Sequence, residues 1–161
     1  MIERLYGRAK DVLNSVGTRF GMTALRVSVG AVFIWFGWPK LVPGLSPAEP
    51  LVLKTVEKLT LGVVEGNAAR ALTGGLEVVI GLLLISGRLL VPIVLVLFGH
   101  MAGTFAPLVL FPGETWKSLG VGTLEGQYIL KNVVLISAAL ALVGHRVQRS
   151  RQPYVAVEKL G

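Results

Sequence analysis

Apolar residues run almost unbroken through residues 23–43, 70–87, 89–111 and 127–144, and polar side chains interrupt them at only a few positions. Each run approaches the ~20 residues that a helix needs to cross a hydrocarbon core of ~30 Å, so the pattern predicts four transmembrane helices. Ahead of the first run, Ile2, Leu5, Tyr6, Ala9, Val12, Leu13, Val16 and Phe20 recur every three or four residues, while Arg4, Arg8, Asp11 and Arg19 mostly fall elsewhere. That spacing predicts an amphipathic helix over 1–22 lying in the membrane interface. The connection 44–69 opens with Ser46-Pro47-Ala48-Glu49, a capping-box spacing, and continues with helical charge spacing, which predicts a second short helix on the outer surface. The tail 145–161 closes with RQPYVAVEKLG, where proline and the lack of periodicity predict a loose segment. The expected fold is an all-α integral membrane protein, one domain over 1–161, built as a four-transmembrane-helix bundle.

Composition agrees with the membrane reading: 53% of residues are hydrophobic and the mean hydropathy is +0.69. Basic residues are unevenly placed. Arg4, Arg8, Lys10 and Arg19 precede the first run, Arg88 lies between the second and third, and Arg146, Arg149, Arg151 and Lys159 follow the fourth. The opposite loops mix Lys54, Lys58, Arg70 and Lys117 with Glu49, Glu57, Glu65, Glu114 and Glu125. By the positive-inside rule both termini are expected in the cytoplasm, in a multi-pass protein of the cell (cytoplasmic) membrane. The net charge of +7 then reads as attraction to anionic headgroups, about 1 kcal/mol per basic residue near the surface, and not as nucleic-acid binding. The first apolar run is too long for a signal-peptide core and leads into Trp38, Pro39 and Lys40 in place of small cleavage residues, so it is expected to be retained. The absence of cysteine excludes disulfides, thiolate catalysis and cysteine-ligated iron–sulfur clusters.

The polar interruptions supply the candidate chemistry. Glu77 lies inside ALTGGLEVVIGLLLIS, where a carboxylate costs several kcal/mol unless paired, protonated or hydrated. Gly74, Glu77 and Gly81 share one helix face, and Arg26, Gly30, Phe33, Gly37 and Lys40 share another, so small residues allow close helix approach beside the charges. His100 divides the third run, and Lys131 with Asn132 opens the fourth. Counting helical rise from the expected span ends puts Glu77 about 9 Å below the outer boundary, Lys131 and Asn132 about 6–7 Å below it, Lys40 nearer still and His100 close to the middle. Glu77 can then pair with Lys40 or Lys131, and Arg26 is expected to reach out to the cytoplasmic interface. Each of these residues also has a plain structural reading. Glu77 divides evenly between ion-pair member and functional acid, and His100 is a packing residue as readily as a ligand contact or proton relay. Trp35, Trp38 and Trp116 read as interface anchors. His145 sits about 17 Å from His100 along the membrane normal, so the two histidines are not expected to share an intramolecular haem. No metal site is expected.

RVSVGAVFIWFGWPKLVPG (26–44), GGLEVVIGLLLISG (74–87) and EGQYILKN (125–132) together resemble the span motifs of DoxX-like integral membrane proteins, in the family's order and over most of 23–145. The resemblance, which extends to the membrane subunit of thiosulfate:quinone oxidoreductase, implies a membrane subunit supporting quinone-linked electron transfer. It makes Arg26, Lys40, Glu77, Lys131 and Asn132 the positions of interest; for a quinone site Lys40, Lys131 and Asn132 are then candidates for quinone or anion contact, and Glu77 and His100 candidates for proton transfer. It also implies a protein partner or larger membrane complex, with a homo-oligomer as a further arrangement. The alternative is a non-catalytic accessory subunit that stabilises such a complex.

Overall fold

The computed structural model describes residues 2–158 and contains four helices long and apolar enough to cross a membrane. Helix α1 (Ile2–Gly37) runs into a 3-10 turn (Trp38–Leu41), and α2 (Glu49–Leu59) follows in the first long loop. α3 (Gly66–Ser86) and α4 (Leu90–Phe105) form the next pair, and α4 is extended after Pro107 by the single turn α5 (Pro107–Leu110). A second single turn, α6 (Pro112–Thr115), leads to strands β1 (Trp116–Ser118) and β2 (Val121–Gly122), then to α7 (Leu124–Leu130) and α8 (Asn132–Glu158).

Two expectations change at the ends of the chain. The amphipathic segment does not form a helix of its own, because α1 continues unbroken for 36 residues from Ile2. No proline interrupts it, and Gly17 and Gly21 lower helix stability without ending the helix. At the other end, α8 runs to Glu158 through the stretch expected to be loose, since helix-forming Arg and Gln residues carry it beyond the apolar run. Residues 159–161 lie outside the described residues.

The loops also differ in detail. α2 forms as expected, but Ser46 is not its cap. The helix begins at Glu49 with Pro50 in its first turn, and the Glu49 carboxylate accepts from the Gly44 N–H at 2.7 Å and from Arg70 at 3.3 Å. Glu49 therefore ties the start of α2 to the start of α3. In the loop between the third and fourth spans, for which no element was expected, β1 and β2 pair antiparallel with Trp116 opposite Gly122. Fully buried Thr115 anchors this ribbon, since its carbonyl accepts from the Thr123 N–H at 3.0 Å. A Cβ at Gly126 would stand 2.0 Å from that same carbonyl oxygen, so only glycine lets α7 start there. The Thr123 hydroxyl caps α7 by accepting from the Gly126 N–H at 3.1 Å.

The core lies between the long helices and includes Val29 and Phe33 of α1, Ile80 and Leu84 of α3, Leu97 and Met101 of α4, and Ala139 and Leu142 of α8. At one end of the bundle α3 turns sharply into α4 through Gly87 and Leu89, both with φ in the left-handed region. Arg26 was expected to reach the cytoplasmic interface. Its guanidinium donates to the carbonyls of Leu84 at 2.8 Å and Ile85 at 2.7 Å in the last turn of α3. Arg146 of α8 donates to the Gly87 carbonyl at 3.2 Å. These contacts place the chain's two terminal helices at the same end of the bundle.

Candidate functional site

The site begins with a backbone contact. Gly30 and Gly37 of α1 face Gly81 and Gly74 of α3 so closely that a Cβ at Gly30 would lie 2.7 Å from the Gly81 carbonyl oxygen, and one at Gly81 would lie 2.5 Å from that of Gly30. A Cβ at Gly74 would lie 2.8 Å from the Gly37 carbonyl oxygen. The heptad spacing within each glycine pair keeps both on one face over two turns, so the helices touch at two levels. Gly37 has a further task, because a Cβ there would stand 2.7 Å from Cβ of Glu77. Glu77 thus enters the interface through the space that Gly37 vacates.

Three side chains meet at this point. Lys40, in the 3-10 turn less than one turn beyond Gly37, donates from Nζ to Glu77 Oε1 at 2.6 Å and to Oε2 at 2.5 Å. His100 of α4 places Nε2 3.0 Å from Glu77 Oε1. The three side chains expose only 10%, 9% and 9% of their surface, which makes the cluster a buried charge centre that joins α1, α3 and α4. Burying a charge is costly unless a partner and further hydrogen bonds compensate, and here both carboxylate oxygens are occupied and Lys40 neutralises Glu77. An ionised carboxylate only accepts, so the geometry assigns a proton to His100 Nε2. Nδ1 has no hydrogen-bond partner among the described residues. Because no fully enclosed side-chain nitrogen or oxygen there lacks one, Nδ1 is not fully enclosed. The Phe33 ring lies beside the imidazole at 6.2 Å between centroids, tilted by 58°.

The structure therefore gathers Lys40, Glu77 and His100 and leaves Lys131 and Asn132 apart. Of the two ion pairs open to Glu77, the one with Lys40 forms. Lys131 is exposed at the joint between α7 and α8, with Nζ 3.8 Å from the centre of the Tyr128 ring and 5.3 Å from that of Phe36. These distances are those of cation–π contacts, so the ammonium is held by aromatic faces instead of a carboxylate. Asn132 begins α8, half-buried.

The depths shift as well. α3 begins at Gly66, four residues before the apolar run was expected to start, which puts Glu77 about halfway along a 21-residue helix and level with His100. His145 is exposed on α8. A separate open groove of about 330 Å³ lies between α4 and α8, lined by Phe98, Met101, Ala102, Phe105, Ile136 and Leu140. Its α4 residues follow the i, i+3, i+4, i+7 spacing of a helix face, a signal present in the sequence. His100 occupies the opposite face of α4, so the groove and the charge centre are distinct.

Chemically, the arrangement is a carboxylate-oriented imidazole. Glu77 fixes the ring through Nε2, while the Lys40 ammonium bridges both oxygens of the same carboxylate. No family model, curated protein or solved structure matches the chain.

Proposed function

We propose that the chain is a DoxX-like membrane subunit that supports quinone-linked electron transfer, oriented with both termini in the cytoplasm, and that His100 delivers a proton to the quinone. The observation that carries this reading is the buried imidazole tied by one nitrogen to Glu77, with its other nitrogen unpartnered among the described residues and not fully enclosed. A bound quinone supplies the ring that accepts two electrons and two protons, the electrons coming from a partner protein or small reductant. His100 would take a proton from water at Nδ1 and pass it to a quinone oxygen, once for each of the two protons. Glu77 orients the imidazole and balances its charge. Lys131 and Asn132 stand outside this arrangement and have no part in it.

The test is native mass spectrometry with lipid extraction, on protein purified in mild detergent, together with labelling by an azido-quinone. Wild type should retain quinone and take up label near Phe33 and His100. The His100→Gln variant keeps an N–H to donate to Glu77 but cannot take up a proton. It should fold, and in membranes supplied with reductant it should form quinol about 100-fold more slowly. Wild-type protein that retains no quinone and takes up no label would sink the proposal.

A second reading, a non-catalytic accessory subunit, draws on a different observation. Lys40, Glu77 and His100 satisfy one another without any ligand, as a purely structural lock between three helices would. It predicts that a stable partner complex purifies without quinone and that His100→Gln leaves electron transfer unchanged.

A further inference from the structure

The first five turns of α1 leave the bundle. Leu5, Tyr6, Val12, Leu13, Val16 and Phe20 are between 51% and 72% exposed. The stretch from Met22 to Lys40, which packs in the bundle, is about 28 Å long, close to the hydrocarbon thickness, so the arm starts where the apolar core of a bilayer ends. A straight continuation would hold a continuous apolar stripe in water, an exposure that ordinarily marks a binding face.

The charges around the stripe indicate what covers it. At 100° per residue, the apolar side chains occupy a sector of about 120°. Arg8 and Arg19 border one edge, Lys10 borders the other, and Asp11 lies on the far side. Cations at both margins of an apolar face suit a helix lying in an anionic headgroup layer, where the stems pack along the apolar zone and the heads reach phosphate. A second copy fits less well, because parallel pairing of two such stripes would bring the bordering cations of both copies together. The segment between arm and span is suited to bending. Gly17 and Gly21 have nothing within 4 Å of a built Cβ, and the Thr18 hydroxyl donates back to the carbonyls of Asn14 at 2.7 Å and Ser15 at 3.2 Å, a bond that favours helix curvature.

We infer that residues 2–20 form an arm that bends at Gly17–Gly21 and lays its Leu5–Phe20 stripe on the anionic lipid surface next to the bundle. The inference is independent of the quinone reading.

The chain has no cysteine, so single-cysteine spin labels report on chosen sites alone. Full-length Leu13→Cys and Asn14→Cys proteins are reconstituted in vesicles of phosphatidylcholine with phosphatidylglycerol, and collision with oxygen is compared with collision with a water-soluble nickel chelate. The label at Leu13 should favour oxygen and the label at Asn14 should favour nickel. The contrast should be lost in pure phosphatidylcholine, and also in the mixed vesicles when Arg4, Arg8 and Lys10 are replaced by Glu. A Leu13 label open to nickel in the mixed vesicles overturns the inference. So does spin–spin broadening at Leu13 that tracks protein density and shows no lipid contact, since the stripe would then be covered by a second copy.

Discussion

At the scale of residues, Glu77 has three hydrogen bonds from two partners and almost no solvent. Glu77→Gln leaves the Lys40 ammonium buried without a counter-charge, and the expected loss of stability is about 3–5 kcal/mol, read as a fall in unfolding midpoint in detergent. Replacing both partners, as in Lys40→Met with Glu77→Met, should cost clearly less than the two single changes added together, because no charge is stranded. If the double variant is as unstable as that sum, the pair contributes nothing as a pair. Glu77 was legible in the sequence because a lone carboxylate in an apolar run is conspicuous. The choice between Lys40 and Lys131 was not, since both lie at similar distance by helical rise. It depends on Gly37, which lets the start of the 3-10 turn approach Glu77, and on the rings of Phe36 and Tyr128, which hold Lys131 elsewhere.

At the scale of elements, the glycine contact between α1 and α3 gives a graded test. Gly81→Ala drives a methyl to 2.5 Å from the Gly30 carbonyl oxygen and should destabilise by about 1–3 kcal/mol. Gly75→Ala, one residue from Gly74 but with nothing within 4 Å, should be neutral or slightly stabilising by helix propensity. Similar losses for both variants in a thermal unfolding assay would contradict a specific backbone contact. Gly87→Ala joins two costs, a φ of +69° and a Cβ 2.2 Å from the Arg26 guanidinium, and should loosen the α3–α4 turn, seen as faster local hydrogen exchange. The four spans were readable because hydropathy reports lipid contact directly. Helix ends were not. Gly66 to Arg70 is polar enough to read as loop, yet it belongs to α3, where Arg70 is held by Glu49 and Asn67. The β1–β2 ribbon was invisible to periodicity because strands of three and two residues show no alternation to read.

For the whole molecule, Arg26 and Arg146 both bind the α3–α4 turn, so the helices that carry the two termini share one end of the bundle. Single cysteines at Gly7 and Ser150 should therefore react together with an impermeant maleimide applied to one side of sealed vesicles, and a cysteine at Leu119 in the β1–β2 turn should react only from the other. Labelling of Gly7 and Leu119 from the same side would refute a four-span path. The doubled glycine contact also divides the bundle mechanically. α1 and α3 touch backbone to backbone at two levels and move as one body that carries both Lys40 and Glu77. α4 stands on the other side of the charge centre and packs on α8 through Leu97, Met101, Ala139 and Leu142, with the open groove beside that contact. A shift of α4 by a fraction of a turn would part His100 from Glu77 and leave the Lys40 bonds whole. The hold of Glu77 on His100 would then be controlled by the position of one helix.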